Sequence, residues 1–171
     1  GKTTLLRMVA GVTRPSAGSV DIGMAGGDSC RDGTNRIGLV GHDTYLYEDL
    51  TGYENLRFSM SISGVTLAGA DVDIGEALDA VGMRQAARER VRTLSSGMKR
   101  RIGLARLLLG RPDVLILDEP HASLDAHAQA LIDGIVTAAK ASRRSVIIAS
   151  HDQERALGLC DQVIVLDSGR V

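Results

Sequence analysis

The sequence predicts an α/β fold whose sheet is mostly parallel. Three short apolar runs, 114–117, 145–149 and 163–166, are rich in β-branched residues. Such runs are typical of strands buried on both faces, as in a parallel sheet. Between the first two lies 131–139, where apolar residues recur on one face of a helix. Strand, helix and strand in this order form a right-handed crossover, so the two strands should run parallel.

The N-terminal part predicts one helix and two further strands. The helix covers 2–10, and a turn containing proline and glycine follows at 15–18. The strands are predicted at 19–22 and 36–40, and a polar, glycine-rich loop around 26–28 joins them.

The middle of the chain is predicted to be helical from about 51 to 109. Two groups of residues there recur at the spacing of a helix. They are Asn55, Leu56, Phe58 and Met60, and Ile74, Ala77, Leu78 and Val81.

Length and composition fit one folded domain and exclude several classes of protein. The chain has 171 residues, with 20 Lys and Arg against 21 Asp and Glu, for a formal charge of −1. A dedicated nucleic-acid binder should be clearly basic, so no nucleic-acid partner is expected. No apolar run approaches the roughly 18 residues that a membrane-spanning helix needs. The two cysteines lie far apart and are predicted to be free thiols.

Polar side chains follow two of the predicted parallel strands. Asp118 and Glu119 end the strand at 114–117, and His151 follows the strand at 145–149. In parallel sheets, ligands bind beyond the carboxyl ends of the strands. The sequence therefore predicts a site that contains both carboxylates and the imidazole.

The chain opens with Gly1-Lys2-Thr3, which has the form of the end of a phosphate-binding loop. In such a loop the glycine lets the backbone wrap the phosphates, the lysine reaches the β- and γ-phosphates, and the hydroxyl holds Mg²⁺. The helix that follows adds its N-terminal amides. A chance Gly-Lys-Thr is the alternative. Because the chain begins without Met, it is expected to be trimmed or a fragment.

The pair Asp118-Glu119 at the end of an apolar strand fits a Mg²⁺-holding carboxylate followed by a general base. The alternative is an acidic N-cap for the next helix. A cap would explain one carboxylate but hardly both, so the catalytic interpretation is favoured.

The segment Leu94-Ser95-Ser96-Gly97-Met98 is predicted to open a helix. A hydroxyl and a glycine at a helix N-terminus form an anion site from backbone amides, although an ordinary Ser N-cap is the alternative. The basic run 99–101 that follows is interpreted as a solvated face of that helix.

Together these motifs resemble the ATP-binding-cassette (ABC) ATPases over essentially the whole chain. In chain order the matching segments are Gly1-Lys2-Thr3-Thr4 (the end of Walker A), Gly41-His42-Asp43 (Q-loop), Leu94 to Met98 (signature), Asp118-Glu119-Pro120 (Walker B), Ser123-Leu124-Asp125 (D-loop) and His151 (switch).

The resemblance implies a P-loop NTPase fold of ABC type, with a mostly parallel sheet, a small antiparallel strand region and an inserted helical subdomain. It implies a single domain over 1–171 that is incomplete at its N-terminus. The catalytic core would be 1–45 and 111–171, and the helical subdomain with the signature would be 46–110.

The resemblance also implies ATP and Mg²⁺ as cofactors and a head-to-tail dimer of two cassettes, with ATP in the interface. The implied nucleotide-binding residues are Gly1, Lys2, Thr3, Thr4, Ser95, Ser96, Gly97 and Asp125. Of these, Ser95 and Gly97 would reach the partner's nucleotide, and Asp125 would help to join the two sites. Thr3 and Asp118 would hold Mg²⁺. Glu119, His151 and His42 would be catalytic.

Three positions depart from the family pattern. Met98 replaces the usual Gln at the end of the signature, and little loss is expected from it. Residue 42 is His where most members have Gln, and a nitrogen ligand suits Mg²⁺ poorly. His42 is therefore expected to act through water or to couple to the membrane partner. His121 takes a place usually held by Thr or Ser, and is expected to lie at the surface.

Gly41-His42, with the segments 45–51 and 54–58, is similar to the ATP-binding subunit of haem-export, or cytochrome-c-maturation, transporters. Drug or lipid exporters and non-transport ABC proteins are the alternatives. A transporter role implies an integral membrane subunit as a partner and a cytoplasmic location on the inner face of the membrane.

Overall fold

The computed structural model describes residues 1–22, 37–41, 43–63, 69–122 and 124–170. Six helices and three strands lie within these ranges. They are α1 (Lys2–Val9), β1 (Ile37–Val40), α2 (Gly52–Ile62), α3 (Ala70–Ala80), α4 (Ser96–Gly110), β2 (Val114–Asp118), α5 (Ala126–Ala141), β3 (Ser145–Ala149) and α6 (Gln153–Leu159). Two short 3-10 helices, Ala86–Arg88 and Val91–Thr93, precede α4. No helix among the described residues combines the length and apolarity that a membrane crossing requires.

The three strands form one parallel sheet in the order β1-β2-β3. β2 lies in the middle, and all of its residues are buried. Its continuous apolar sequence follows from this position, because both of its faces are covered. The prediction of an α/β fold with a parallel sheet is confirmed.

Helices cover both faces of β2, because successive side chains of a strand point to opposite sides. Leu115 and Leu117 pack into the main core with residues of α2, α3, α4 and α5. On the other face, Ile116 packs with Leu6 of α1. The first helix is therefore held against the central strand, and its N-terminus lies near the edge of the sheet where β2 ends.

The predicted helical region divides into α2, α3 and α4. A capping box starts α2: the Thr51 hydroxyl accepts from Glu54 N, and the Glu54 carboxylate accepts from Thr51 N. Buried Asn55 bonds both backbone groups of Tyr47 and so fixes the approach to α2. The three helices share one apolar core with β2 and α5. The division into a catalytic core and a helical subdomain remains a prediction.

Two predicted strands do not form. Residues 163–166 are irregular, and the Val163, Ile164 and Val165 side chains are 57%, 70% and 73% exposed. An apolar run becomes a strand only when a neighbouring strand accepts its hydrogen bonds, and no described strand lies beside this run. Residues 19–22 are likewise irregular, and the loop predicted around 26–28 lies outside the described residues. Antiparallel pairing in the described ranges is limited to two isolated bridges, Thr51 with Arg90 and Asp167 with Arg170.

Candidate active site

The carboxyl ends of β2 and β3 bring the predicted acids and the histidine together. Asp118 is the last residue of β2 and pairs in register with Ala149, the last residue of β3. Glu119 follows, and its backbone N–H donates to Ala149 O at 2.8 Å. His151 comes two residues after β3, at the same edge of the sheet.

The Glu119 carboxylate receives hydrogen bonds from two directions. Lys2 Nζ, at the start of α1, donates to Glu119 Oε1 at 3.3 Å and to Ser150 O at 3.0 Å. His151 Nδ1 lies 2.7 Å from Glu119 Oε2, and the His151 backbone N–H donates to the same oxygen at 3.3 Å. An ionised carboxylate only accepts hydrogen bonds, so Nδ1 of His151 carries the proton in this contact.

These contacts decide the charge of Glu119. Partial burial raises its pKa, but the hydrogen bonds from His151 and Lys2, together with the Lys2 charge, outweigh burial and hold the pKa below the ordinary value. Glu119 is therefore ionised at neutral pH. A partly exposed, ionised carboxylate is suited to orient and polarise a water molecule.

Asp118 has the features of a Mg²⁺ ligand. Its side chain is 6% exposed, and its Oδ1 is a buried oxygen without a hydrogen-bond partner. A buried carboxylate oxygen without a partner is unusual and requires an explanation, such as a bound ion. Gly41, at the end of β1, lies close by, since a Cβ there would lie 3.3 Å from Asp118 Cβ.

The donor set also fits Mg²⁺ rather than a softer metal. Among the described residues, no three His, Cys, Asp or Glu side chains lie close enough together to hold a metal ion by themselves. Mg²⁺ is usually bound through one or two carboxylates together with substrate phosphates. Asp118 supplies such a carboxylate, and the exposed hydroxyl of Thr3 is a second oxygen donor of the hard type that Mg²⁺ prefers.

The N-terminus of α1 is suited to bind an anion. Gly1 is the N-cap and supplies no side-chain hydrogen bond. The amides of Lys2, Thr3 and Thr4 have no acceptor within the helix, as at any helix start. With the Lys2 ammonium beside them, these amides form a positively polarised group that can bind phosphate oxygens.

The predicted signature segment lies at the N-terminus of α4. Ser95 is its N-cap, and the Ser95 hydroxyl accepts from Met98 N at 3.3 Å. Ser95 and Ser96 are exposed, and a Cβ on Gly97 would meet no atom within 4 Å. The segment therefore lies at the surface. Ser95 acts as an N-cap, as the alternative interpretation predicted. The backbone amides at the start of α4 are accessible to a second molecule.

Asp125 caps α5. Its Oδ1 accepts from Ala128 N at 2.8 Å, and its Oδ2 pairs with Arg101 of α4. The hydrogen bond from Ala128 and the Arg101 charge lower the pKa of Asp125. Because Asp125 is the cap, the proposal that Asp118-Glu119 merely caps the next helix is excluded.

His121 is buried, contrary to expectation. Only 9% of the residue is exposed, and Nε2 lies 2.8 Å from Asp133 Oδ1 on α5. Asp133 Oδ2 also accepts from Arg155 Nη2 of α6 at 2.7 Å. Asp133 thus links the loop after Glu119 to the helix after His151. Its position inside the apolar stretch 131–136 is the sequence signal that could have identified it.

Asp133→Asn should destabilise the fold by about 1 kcal/mol at neutral pH, since it weakens two partly exposed charge-assisted hydrogen bonds. Burial raises the pKa of Asp133, but the bonds from Arg155 and His121 outweigh burial and lower it. A lowered pKa stabilises the fold above the unfolded value of about 3.9, and this contribution is lost as the pH falls through the folded value. Urea unfolding at pH 7 and pH 3 should show a smaller difference between the variant and the unmodified protein at pH 3 than at pH 7.

The matched control is Glu76→Gln, which also removes one carboxylate, at an exposed position beyond the first turn of α3. It should change the unfolding midpoint little at either pH. Equal midpoints for Asp133→Asn and the unmodified protein at pH 7 would show that the link is not stabilising.

Of the predicted catalytic residues, the structure brings Glu119 and His151 together with Lys2. His42 lies outside the described residues.

Comparison with known proteins gives consistent matches. Residues 1–122 match the family model described as ABC transporter. The chain is 32% identical over 172 residues to the linearmycin resistance ATP-binding protein of Bacillus subtilis, covering 100% of this chain and 55% of that protein. It is 36% identical over 171 residues to the Nod factor export ATP-binding protein I of Burkholderia lata, covering 99% and 56%. The chain spans about half the length of these curated relatives.

Solved structures agree. A structure of an ATP-binding subunit of an ABC transporter superposes with a TM-score of 0.88 at 25% identity, covering 100% of this chain and 72% of that one. The cbiO1 protein of Clostridium perfringens, part of the ABC transporter complex cbiONQ, gives 0.73 at 30% identity, covering 99% and 70%.

Proposed function

The chain belongs to the ABC transporter family, and on that premise we propose that it binds and hydrolyses ATP to drive an exporter. The observation that supports this proposal most is the contact of Glu119 with Lys2 and His151, next to Asp118, whose Oδ1 has no hydrogen-bond partner. In this proposal, Lys2 would bind phosphates, Glu119 would act on water and Asp118 would bind the metal, all at one edge of the sheet.

Each residue has a distinct role in this mechanism. Lys2 and the α1 amides bind the β- and γ-phosphates, and Thr4 binds the α-phosphate. Asp118 and Thr3 would hold Mg²⁺, which when bound neutralises charge that develops on the phosphate oxygens. Glu119 orients the attacking water and accepts its hydrogen bond, and His151 contacts the γ-phosphate.

The direct test is ATP hydrolysis by the purified full-length protein, alone and with its membrane partner. We expect phosphate release that requires Mg²⁺ and stops when the metal is chelated. Absence of hydrolysis under every one of these conditions would contradict the proposed activity.

The exposed N-terminus of α4 supports a head-to-tail dimer in which Ser95, Ser96 and Gly97 contact the nucleotide of the partner. The amides there are at the positive end of the helix. Asp125, paired with Arg101 of α4, joins this segment to the loop after Glu119. The site of one subunit would therefore be completed by the other.

Gly97→Asp should abolish ATP-driven dimerisation without unfolding the subunit. A side chain at residue 97 has open space in the single chain, and an acid in the first turn is favourable for the helix itself. The same carboxylate would repel a phosphate of the partner's nucleotide. Size-exclusion chromatography with ATP would report the dimer, and thermal unfolding would report the fold.

Gly134→Asp is a matched control on α5, where a Cβ also meets no atom within 4 Å. It should leave dimerisation intact. If Gly97→Asp still formed the ATP-dependent dimer, the role of the α4 N-terminus in the partner's site would be wrong.

Export is the direction that the relatives support. One relative is named for Nod factor export, and another for linearmycin resistance. We further propose that the protein binds an integral membrane subunit and lies in the cytoplasm on the inner face of the membrane. The cbiO1 protein, which is part of a transporter complex, supports a membrane-bound assembly of this kind.

Haem export, as in cytochrome c maturation, is the narrower proposal, and it rests on Gly41-His42 and the segments 45–51 and 54–58. A drug or lipid exporter is the alternative. The neighbouring genes distinguish the two: a polytopic haem-exporter-like subunit would support haem export, and a drug or lipid permease would exclude it.

A further inference from the structure

Arg100 of α4 is buried against the turn that carries Glu119. The basic run 99–101 was expected to form a solvated helix face, but Arg100 is 9% exposed. Its Nη1 donates to Ala122 O at 2.6 Å. Its Nη2 donates to Glu119 O at 2.5 Å and to Asp118 O at 3.2 Å. One guanidinium thus binds three backbone carbonyls of the segment that follows β2.

A buried guanidinium is costly, so its placement needs a physical reason. Burial lowers the pKa of Arg100, while the charges of Asp118 and Glu119 raise it. Arginine nevertheless stays protonated in proteins. Two of the Arg100 hydrogen bonds go to the backbone of these acids, and none goes to their carboxylates. Arg100 therefore fixes the position of the two acids without occupying the oxygens that the site uses.

The backbone of Glu119 requires such support. Its φ is +48°, in the left-handed region, which is sterically unfavourable for a residue with a side chain. Two hydrogen bonds hold the turn on either side of this residue. Glu119 N donates to Ala149 O at 2.8 Å, and Glu119 O accepts from Arg100. With the backbone fixed in this way, the carboxylate faces Lys2 and His151.

We propose that Arg100 is a positioning residue for Glu119, and that it couples the N-terminus of α4 to the carboxylate. Arg100 lies about one helical turn after Ser96, on the same rigid helix. A displacement of that N-terminus moves the guanidinium and, with it, the Glu119 carbonyl. This rests on the proposed function, in which the N-terminus of α4 contacts the partner's nucleotide and Glu119 orients water.

The test compares Arg100→Gln and Arg100→Lys with the unmodified full-length protein. We expect Arg100→Gln to lower kcat by about 100-fold, the loss that a misplacement of about 1 Å can cause, while KM for ATP and the affinity for a fluorescent ATP analogue change less than about twofold. Arg100→Lys keeps the charge but not the planar guanidinium, so its kcat should lie between those of Arg100→Gln and the unmodified protein.

Arg92→Gln is the matched control. Arg92 is an exposed arginine that pairs with Asp49, and its replacement should leave kcat unchanged. Normal kcat in Arg100→Gln would overturn the proposal. A kcat loss that only follows the folded fraction, measured by circular dichroism at the assay temperature, would overturn it as well, as would equal losses of kcat and nucleotide affinity. Failure of the proposed function is a separate result, since the unmodified protein and Arg92→Gln would then be inactive.

Discussion

Glu119→Gln is expected to lower ATP hydrolysis by about 100- to 10,000-fold, the usual contribution of a positioned general base. The amide has nearly the same shape as the carboxylate, but it cannot take up a proton from water. Lys2 and the α1 amides remain, so nucleotide binding should be retained. Steady-state phosphate release and equilibrium binding of a fluorescent ATP analogue would measure the two effects separately.

The pH dependence offers a second measurement on the same variant. Because the folded pKa of Glu119 is lowered, its carboxylate stays ionised at a pH below the ordinary value of about 4.3. In the nucleotide-free protein, the Glu119 contribution to stability should therefore be lost as the pH falls through the folded pKa. Glu119→Gln should lack this acid-dependent loss of stability, which urea unfolding at a series of pH values would measure.

Glu76→Gln, at an exposed position on α3, is the matched control and should hydrolyse ATP normally. If Glu119→Gln kept the full rate, Glu119 would not be the base. If it lost nucleotide binding to the same extent as hydrolysis, the loss would instead reflect a damaged phosphate site.

The central strand and the acids after it could be predicted from sequence because burial and chain direction determine both. β2 is covered on both faces, so its sequence 114–117 is apolar throughout. Parallel pairing with β3 then places Asp118 and His151 at one edge. These inferences need only local pattern and the direction of the strands.

The predicted strand at 163–166 shows where local pattern is insufficient. Its composition is that of a strand, but a strand forms only beside another strand. Whether a neighbour exists depends on the rest of the sheet, not on these residues. The apolar side chains of Val163 and Ile164 are exposed for this reason.

Arg100 and His121 could not be placed from sequence, because their environment depends on how whole helices pack. A basic run such as 99–101 predicts a solvated face, yet the rotation of α4 directs Arg100 inwards and leaves its neighbours less buried. His121 is buried because α5 brings Asp133 beside it. Both residues hold the loop that carries Glu119, so the part of the site that was missed is its support.

Lys2→Ala should weaken ATP binding by about 100-fold, because it removes the ammonium group at the start of α1. Charge-assisted hydrogen bonds contribute about 1.5–3 kcal/mol, and about 2.7 kcal/mol corresponds to 100-fold in affinity. Hydrolysis at saturating ATP should also fall, since Lys2 would no longer act on the developing charge of the γ-phosphate. Titration with a fluorescent ATP analogue, with and without Mg²⁺, would measure the affinity.

Lys140→Ala is the control for loss of a lysine. Lys140 lies at the C-terminal end of α5 and pairs with Asp161. The variant should bind ATP normally. Lys2→Ala and Glu119→Gln are expected to have different effects, because in the proposed mechanism Lys2 would bind phosphate and Glu119 would act on water, although the two side chains are in contact. Unchanged ATP affinity in Lys2→Ala would show that the contact with Glu119 is structural and that the phosphates bind elsewhere.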